Sequence, residues 1–256
     1  MEQRFTFNQV ADVYQASRPG YPDALIDDVI AYAAIGPDDS MLEVGCGTGQ
    51  ATISFAKKGC AILATDPGAE MLRGAREYLR EFGNVDYLQT TFEALPDTYT
   101  GCFRLIVAAQ CWHWVAPDVR FTKAAKVLSP NGALAVFGHV PVRLPERLRD
   151  VFRHVYLEWV GRWLPPPEVW YFPDGPFKSW FDESGLFQPV AHRSYPWVWR
   201  HTTASYLAFL QTRSDHRMLA AEQREHLLAD LAQAIDAEGG RLDIDYETHL
   251  YMSRLV

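Results

Sequence analysis

The residues best suited to chemistry are Leu42-Glu43-Val44-Gly45-Cys46-Gly47-Thr48-Gly49-Gln50, an apolar run that gives way to three glycines at alternate positions. Lacking a Cβ, such a turn lets the backbone approach a ligand closely and adopt positive φ. A helix beginning just after it would offer unpaired N–H groups to an anionic group. A dinucleotide fingerprint needs glycines spaced G-x-G-x-x-G, and Gln50 stands where its third glycine would fall. The spacing therefore disfavours a pyrophosphate cradle and suits a ligand whose amino-acid part lies against the glycines. Asp66, directly after a second apolar run, is placed where doubly wound sheets put an acid to accept ribose hydroxyls. Its other reading is a turn-forming Asp before Pro67-Gly68.

Further along, Gln110 and His113 follow a fourth apolar run, at the sheet edge where open α/β folds bind ligands. An imidazole with its ordinary pKa near 6.5 could act there as base or as hydrogen-bond partner. It could equally be packed between Trp112 and Trp114. Gln110 is read as a cofactor- or substrate-facing amide. Tyr14 and Arg18 precede the first long helix and read either as a lid, with Arg18 on a carboxylate, or as a surface arm. Arg213, Arg200, His201 and Arg143 are candidate substrate anchors whose alternative is a solvated charge.

These groups need strands and helices to bring them together. The pattern predicts a helix over 22–35, with Leu25, Ile26, Val29, Ile30 and Ala33 on one face, closed by Gly36-Pro37-Asp38-Asp39. Apolar runs at 41–44, 61–65, 85–89, 105–109 and 133–137 read as strands, and helices are expected at 50–58, 69–82 and 119–128. Strands that alternate with helices of this length imply right-handed crossovers and a parallel sheet covered on both faces. After about residue 140 the rhythm breaks into a stretch rich in Pro, Arg and aromatics. A helix at 177–183, a strand at 189–198, helices at 203–213 and 221–238 and a last strand at 246–255 follow.

Composition narrows the function. With 48% hydrophobic and 22% charged residues, the chain reads as globular. A net charge of −8 argues against a nucleic-acid-binding surface. Four cysteines without a CxxC pair indicate no metal site and fit a reduced, cytoplasmic protein. The first residues, MEQRFTFNQVADVY, lack the apolar core of a signal peptide, and no run approaches a membrane span. All 8 tryptophans lie after residue 111, on the side of the chain away from the glycine turn. They suit an apolar substrate pocket, the cap's own core or a dimer face.

Glu43-Val44-Gly45-Cys46-Gly47-Thr48-Gly49 resembles the first motif of class I S-adenosylmethionine-dependent methyltransferases. Thr91-Phe92-Glu93-Ala94-Leu95-Pro96 is similar to the family's segment after the third strand, with Thr91 in place of the usual Asp. Val127-Leu128-Ser129-Pro130-Asn131-Gly132 resembles its turn before the fifth strand. Tyr14-Gln15-Ala16-Ser17-Arg18-Pro19-Gly20-Tyr21-Pro22 and Ala109-Gln110-Cys111-Trp112-His113-Trp114 are similar to segments of a small-molecule subgroup, type 11-like, that includes trans-aconitate methyltransferase-like proteins. The resemblance implies an α/β, Rossmann-like, doubly wound seven-stranded sheet, mostly parallel with an antiparallel last strand. A core of about 22–140, 177–198 and 241–256 would carry helical cap insertions at about 141–176 and 199–240, both rising over the same crevice.

The resemblance further implies S-adenosyl-L-methionine as cofactor, held by Glu43, Gly45, Cys46, Gly47, Gly49, Asp66, Phe92, Glu93 and Gln110. Tyr14, Arg18, Trp112 and Arg213 would meet the substrate, His113 would be catalytic, and no metal is expected. The acceptor would be a small molecule, by preference an oxygen or carboxylate, with no nucleic-acid or membrane partner, and the protein a monomer or homodimer. Two other classes stay open. One is a cofactor-binding partner without transferase activity; the other is a nicotinamide-dependent oxidoreductase, against which Gln50 counts.

Overall fold

Five parallel strands build the part of the sheet that meets the glycine turn. The computed structural model describes residues 11–36, 38–163 and 170–256. The first ten residues of the expected leaderless N-terminus, Pro37 of the expected turn and 164–169 within the first expected insertion lie outside the described residues. Strands β1 (Ser40–Val44), β2 (Ala61–Asp66), β3 (Val85–Gln89), β4 (Phe103–Ala109) and β5 (Leu128–Arg143) run parallel, in the order β3-β2-β1-β4-β5. Two antiparallel pairings complete the seven strands: β7 (Arg241–Arg254) lies between β5 and the outermost strand, β6 (Ala191–Thr202). Met41, Leu42, Leu105, Ile106 and Val107 are wholly buried, as non-alternating apolar runs in a doubly covered parallel sheet should be.

Helices cover both faces. Helices α1 (Ala11–Ser17), α2 (Asp23–Ala33), α3 (Thr52–Lys57) and α4 (Ala69–Tyr78) come first, and α2 seats Leu25, Ile26, Val29 and Ala33 in one core cluster. The opposite face is covered by α5 (Arg120–Val127) and α7 (Phe177–Ser184), through Phe121, Ala124, Phe177 and Phe181. Each fully buried Leu or Phe contributes roughly 1.5–3 kcal/mol of transfer free energy.

The broken rhythm after residue 140 hides regular structure. β5 does not stop at 137 but continues to Arg143, and α6 (Glu146–Val160) follows at once, with Leu148, Phe152, Val155 and Tyr156 on its buried side. That face packs on α8 (Thr203–Gln211) and α10 (Ala221–Ala237), and on Leu242, Ile244 and Tyr246 of β7. The short helix α9 (Ser214–Arg217) joins α8 to α10. This third cluster is an apolar core in its own right, separate from the two flanking the sheet. Trp159, Trp163, Trp197 and Trp199 pack against it.

Candidate active site

Register brings the site together. Val44 of β1 pairs with Thr65 of β2 on one side and Ala108 of β4 on the other, so the chain leaves all three strands at one level. Gly45, Asp66 and Gln110 therefore converge. Ala109 pairs with Phe137, which carries Gly138 and His139 of β5 to the same edge.

The glycine turn is fixed by hydrogen bonds from the second strand. Asp66 accepts from the Gly47 N–H at 3.0 Å through one carboxylate oxygen and from the Gly68 N–H at 2.8 Å through the other. Gly47 sits at φ 57°, a left-handed conformation that side chains disfavour. A Cβ on Gly45 would come within 2.9 Å of the Cys111 Cβ, so this glycine is required by close packing as well. Cys46 turns its thiol into the core, leaving only its backbone at the turn. After β4, Gln110 takes φ 59°, and its amide donates to the His139 carbonyl at 3.3 Å. A non-glycine residue in that region costs roughly 1–3 kcal/mol and concentrates at functional sites.

A crevice opens along this edge in two halves that share Tyr14, Gly45, Gly47, Ala109 and Gln110. The larger half, about 120 Å³, runs past Asp66, Thr91, Phe92, Glu93, Trp114 and Val115. The smaller, about 50 Å³, is bounded by Arg18, Tyr21, Glu43, Gln50 and His139. Glu93 accepts from the Ala116 N–H at 3.0 Å, tying the segment after β3 to the turn after β4. Phe92 lines the crevice while its ring belongs to the core. Gly49 lies outside both linings and serves the turn, at φ 94°.

Burial sets the charges. The Glu43 carboxyl is pushed up to about 8, first by desolvation, with the Asp66 charge adding to the rise and the nearby Thr52 hydroxyl opposing it. Asp66 is raised to about 6 by burial, against the pull of the Gly68 and Gly47 N–H groups. The Glu43 Oε2 is buried without a hydrogen-bond partner and lines the smaller half. An orphaned carboxylate oxygen beside an open glycine turn fits a ligand carrying an ammonium group.

Helix α1 closes the smaller half. Arg18 donates to the Thr212 hydroxyl at 3.0 Å and to the Thr212 carbonyl at 3.1 Å, between the rings of Tyr14 and Phe209. Its guanidinium thus clamps the N-terminal arm to the end of α8, and it is not the solvated arm that was the alternative reading.

Several expected positions differ. Trp112 is wholly buried between Phe92 and Phe121 and lines neither half of the crevice. Trp114, on the other side of the same 3-10 turn, lines the larger half instead. His113 sits among Trp114, Trp170 and Tyr171, also outside both linings. Burial, then the Arg120 charge, lowers its pKa to about 4. Arg213 pairs with Asp215 at 2.9 Å and lines a separate cavity of about 530 Å³ between α6 and α8. The six later tryptophans do not line the crevice; only Trp163 borders that separate cavity. Arg143 pairs with Asp245, and His201 is buried beside Trp199.

His139 is among the crevice residues that sequence reading missed. The signal available was a histidine two residues beyond the expected end of the fifth strand, one strand over from Gln110.

A seven-stranded sheet of this order, with a glycine turn after β1 and an acid after β2, defines a class I, Rossmann-like methyltransferase. The chain belongs to the S-adenosylmethionine-dependent methyltransferases, and S-adenosyl-L-methionine is its cofactor. The family described as methyltransferase domain matches residues 41–132. An uncharacterized methyltransferase of Mycobacterium tuberculosis is 32% identical over 184 residues, covering 62% of this chain and 72% of the relative. The ubiquinone biosynthesis O-methyltransferase of Pectobacterium atrosepticum is 35% identical over 94 residues, 36% of this chain and 39% of that enzyme. Among solved structures, a provisionally assigned type II methyltransferase from Anaeromyxobacter dehalogenans superposes with a TM-score of 0.64 at 23% identity, covering 93% of this chain and 97% of the other. The likeness to that structure is one of fold.

Proposed function

We propose that this methyltransferase acts on an oxygen, by preference a carboxylate, of a small diffusible molecule. The observation that carries the reading is the smaller half of the crevice. It holds about 50 Å³, is closed by the Arg18 clamp, and presents Arg18, Tyr21 and His139 as donors. Bound S-adenosyl-L-methionine supplies a methyl group already activated by the positive sulfur. The protein must align the acceptor with that methyl and exclude water. Gly45, the backbone of Cys46 and Gly47, and the Glu43 carboxylate would hold the amino-acid end. Asp66 would take the ribose hydroxyls, and the Phe92 backbone with Glu93 the adenine.

A carboxylate acceptor needs no general base, which suits a crevice whose own histidine is depressed to about 3. The net charge of −8 speaks against nucleic acid as acceptor. We read the chain as one methyltransferase domain with a helical cap, cytoplasmic, and a monomer or homodimer. The test is incubation with methyl-labelled cofactor and fractionated metabolite pools. Label in small esters or ethers supports the reading; label only in nucleic acid, protein or amines overturns it.

A further inference from the structure

We propose that His139 receives an oxyanion, a carboxylate or enolate oxygen, in the smaller half of the crevice, acting as a neutral Nε2–H donor whose tautomer is set by Thr248 and Trp197. Trp197 lies on β6, two strands from His139 on β5. The Trp197 indole can only donate, and it donates to the Thr248 Oγ1 at 3.0 Å. Thr248 is wholly buried, and its Oγ1 lies 2.8 Å from the His139 Nδ1. Among the described residues, that nitrogen is the acceptor available to the Thr248 proton. Nδ1 is therefore the lone-pair nitrogen, and the ring proton is on Nε2.

Nε2 is buried without a partner, and the ring lines the smaller half of the crevice. The Gly20 carbonyl is close enough to pull on the ring but completes no hydrogen bond to Nε2, and a buried N–H without a good acceptor is costly to maintain, so it marks an acceptor that arrives with a ligand. The ring cannot turn away. Tyr21 stacks on one face at 4.5 Å and Trp197 meets it edge-on at 5.0 Å.

The groups that line the cavity with His139 select its ligand. Arg18, the Tyr21 hydroxyl, Gln110 and the Glu43 carboxyl share the cavity. Burial, then the Arg18 charge, lowers the His139 pKa to about 3, against a smaller pull from the Gly20 carbonyl. Burial also holds the Tyr21 phenol protonated, well above its ordinary range. An amine acceptor enters as an ammonium, for which the Nε2 side of His139 offers no lone pair, and the Glu43 carboxyl in the same cavity is assigned to the cofactor's own ammonium. A carboxylate or enolate oxygen finds Arg18, Tyr21 and His139 along one cavity wall. That oxygen can come from the cofactor's own carboxylate or from the methyl acceptor; only the second source rests on the oxygen-acceptor reading.

The experiment is two-bond ¹H–¹⁵N NMR on ¹⁵N-histidine-labelled protein. The expected result is an Nε2–H tautomer for His139 at pH 7 that does not titrate above pH 5. One arm adds S-adenosylhomocysteine alone. The other titrates acetate, propionate and benzoate, with their amides as controls, into the S-adenosylhomocysteine complex. A downfield Nε2–H shift in the first arm identifies the cofactor carboxylate; a saturable shift with carboxylates but not amides identifies the acceptor. His139→Phe should weaken the responsible ligand at least tenfold, and His139→Gln, which keeps an N–H near Nε2, should recover part of it. Thr248→Val should mix the tautomers in unliganded protein. An Nδ1–H tautomer, ordinary titration near pH 6.5, or an Nε2–H unmoved in both arms overturns the proposal. An amine acceptor from the metabolite survey would remove the oxygen-acceptor reading while the tautomer and the first arm stand.

Discussion

If Glu43 holds the cofactor's ammonium as proposed, cofactor binding should release a proton. The Glu43 carboxyl sits at about 8 in the unliganded protein, so at pH 7 about 0.9 of the molecules carry that proton. A ligand ammonium needs the ionised form, and binding should therefore release about 0.9 proton at pH 7. Holding the proton costs affinity as pH falls. Between pH 7.5 and pH 6 the apparent Kd should rise about 25-fold from Glu43 alone, and about 50-fold when Asp66, at about 6, is included. The assay is calorimetric titration with S-adenosylhomocysteine at pH 7 in two buffers of different ionisation enthalpy, whose difference counts the protons.

Glu43→Gln should abolish the release and flatten most of the pH dependence. It should also stabilise the unliganded fold. An acid raised from 4.5 to about 8 contributes stability that is complete below pH 4.5 and lost as pH climbs towards 8. At pH 7 that loss is about 3 kcal/mol, which the amide would restore. A variant with a higher Tm and weaker binding is the expected signature. Proton release near zero in the parent protein, or unchanged pH dependence in Glu43→Gln, would refute the reasoning.

Three further outcomes follow from the site. Asp66→Ala should weaken S-adenosylhomocysteine by roughly 1–3 kcal/mol, the value of lost hydrogen bonds, with added loss because the Gly47 and Gly68 N–H groups lose their acceptor; an unchanged Kd by calorimetry would reject its role. Trp112→Ala should lower stability by roughly 3–5 kcal/mol as a core truncation, read from urea unfolding, because this ring is wholly buried; a neutral effect would return it to the ligand side. Arg18→Ala removes two hydrogen bonds to Thr212 and contacts with two rings. Limited proteolysis should then cut near residue 18 faster, with a weaker cofactor Kd; unaltered cleavage would show that α1 is held by other contacts.

The sheet edge was legible because strand ends and glycines announce themselves locally. Val85–Gln89 appears with the expected bounds, and Gly45, Gly47, Asp66 and Glu93 meet as the strand order requires. What failed was the choice between neighbours. In Trp112-His113-Trp114 all three residues are suited to a pocket wall, and the 3-10 turn sends Trp112 to the core and Trp114 to the crevice. Local sequence does not encode that rotation, which is set by Phe92 and Phe121 arriving from other elements. Arg213 looked like a free anchor because its partner, Asp215, is two residues away across a helix start. His139 was missed because β5 was expected to end at residue 137. Gly138 and Pro141 resemble terminators, yet pairing with β7 carries the strand through them. The helical spacing of Leu148, Phe152, Val155 and Tyr156 was present in the aromatic-rich stretch, masked by prolines on either side.

The position of β7 orders how this molecule can assemble. Among the described residues β6 hydrogen-bonds to no strand but β7, and the third apolar cluster includes Leu242, Ile244 and Tyr246 of that same strand. Synthesis must therefore run past residue 241 before either the outermost strand or the third core is complete. Until then β5 presents an open parallel edge beside a set of unburied tryptophans, the kind of surface that recruits chaperones or neighbouring chains. The cofactor half, residues 40–137, has all its internal pairings by that stage. On the ribosome the protein thus passes through a state with a finished glycine turn and an unpartnered third core, and β7 is the segment that ends it.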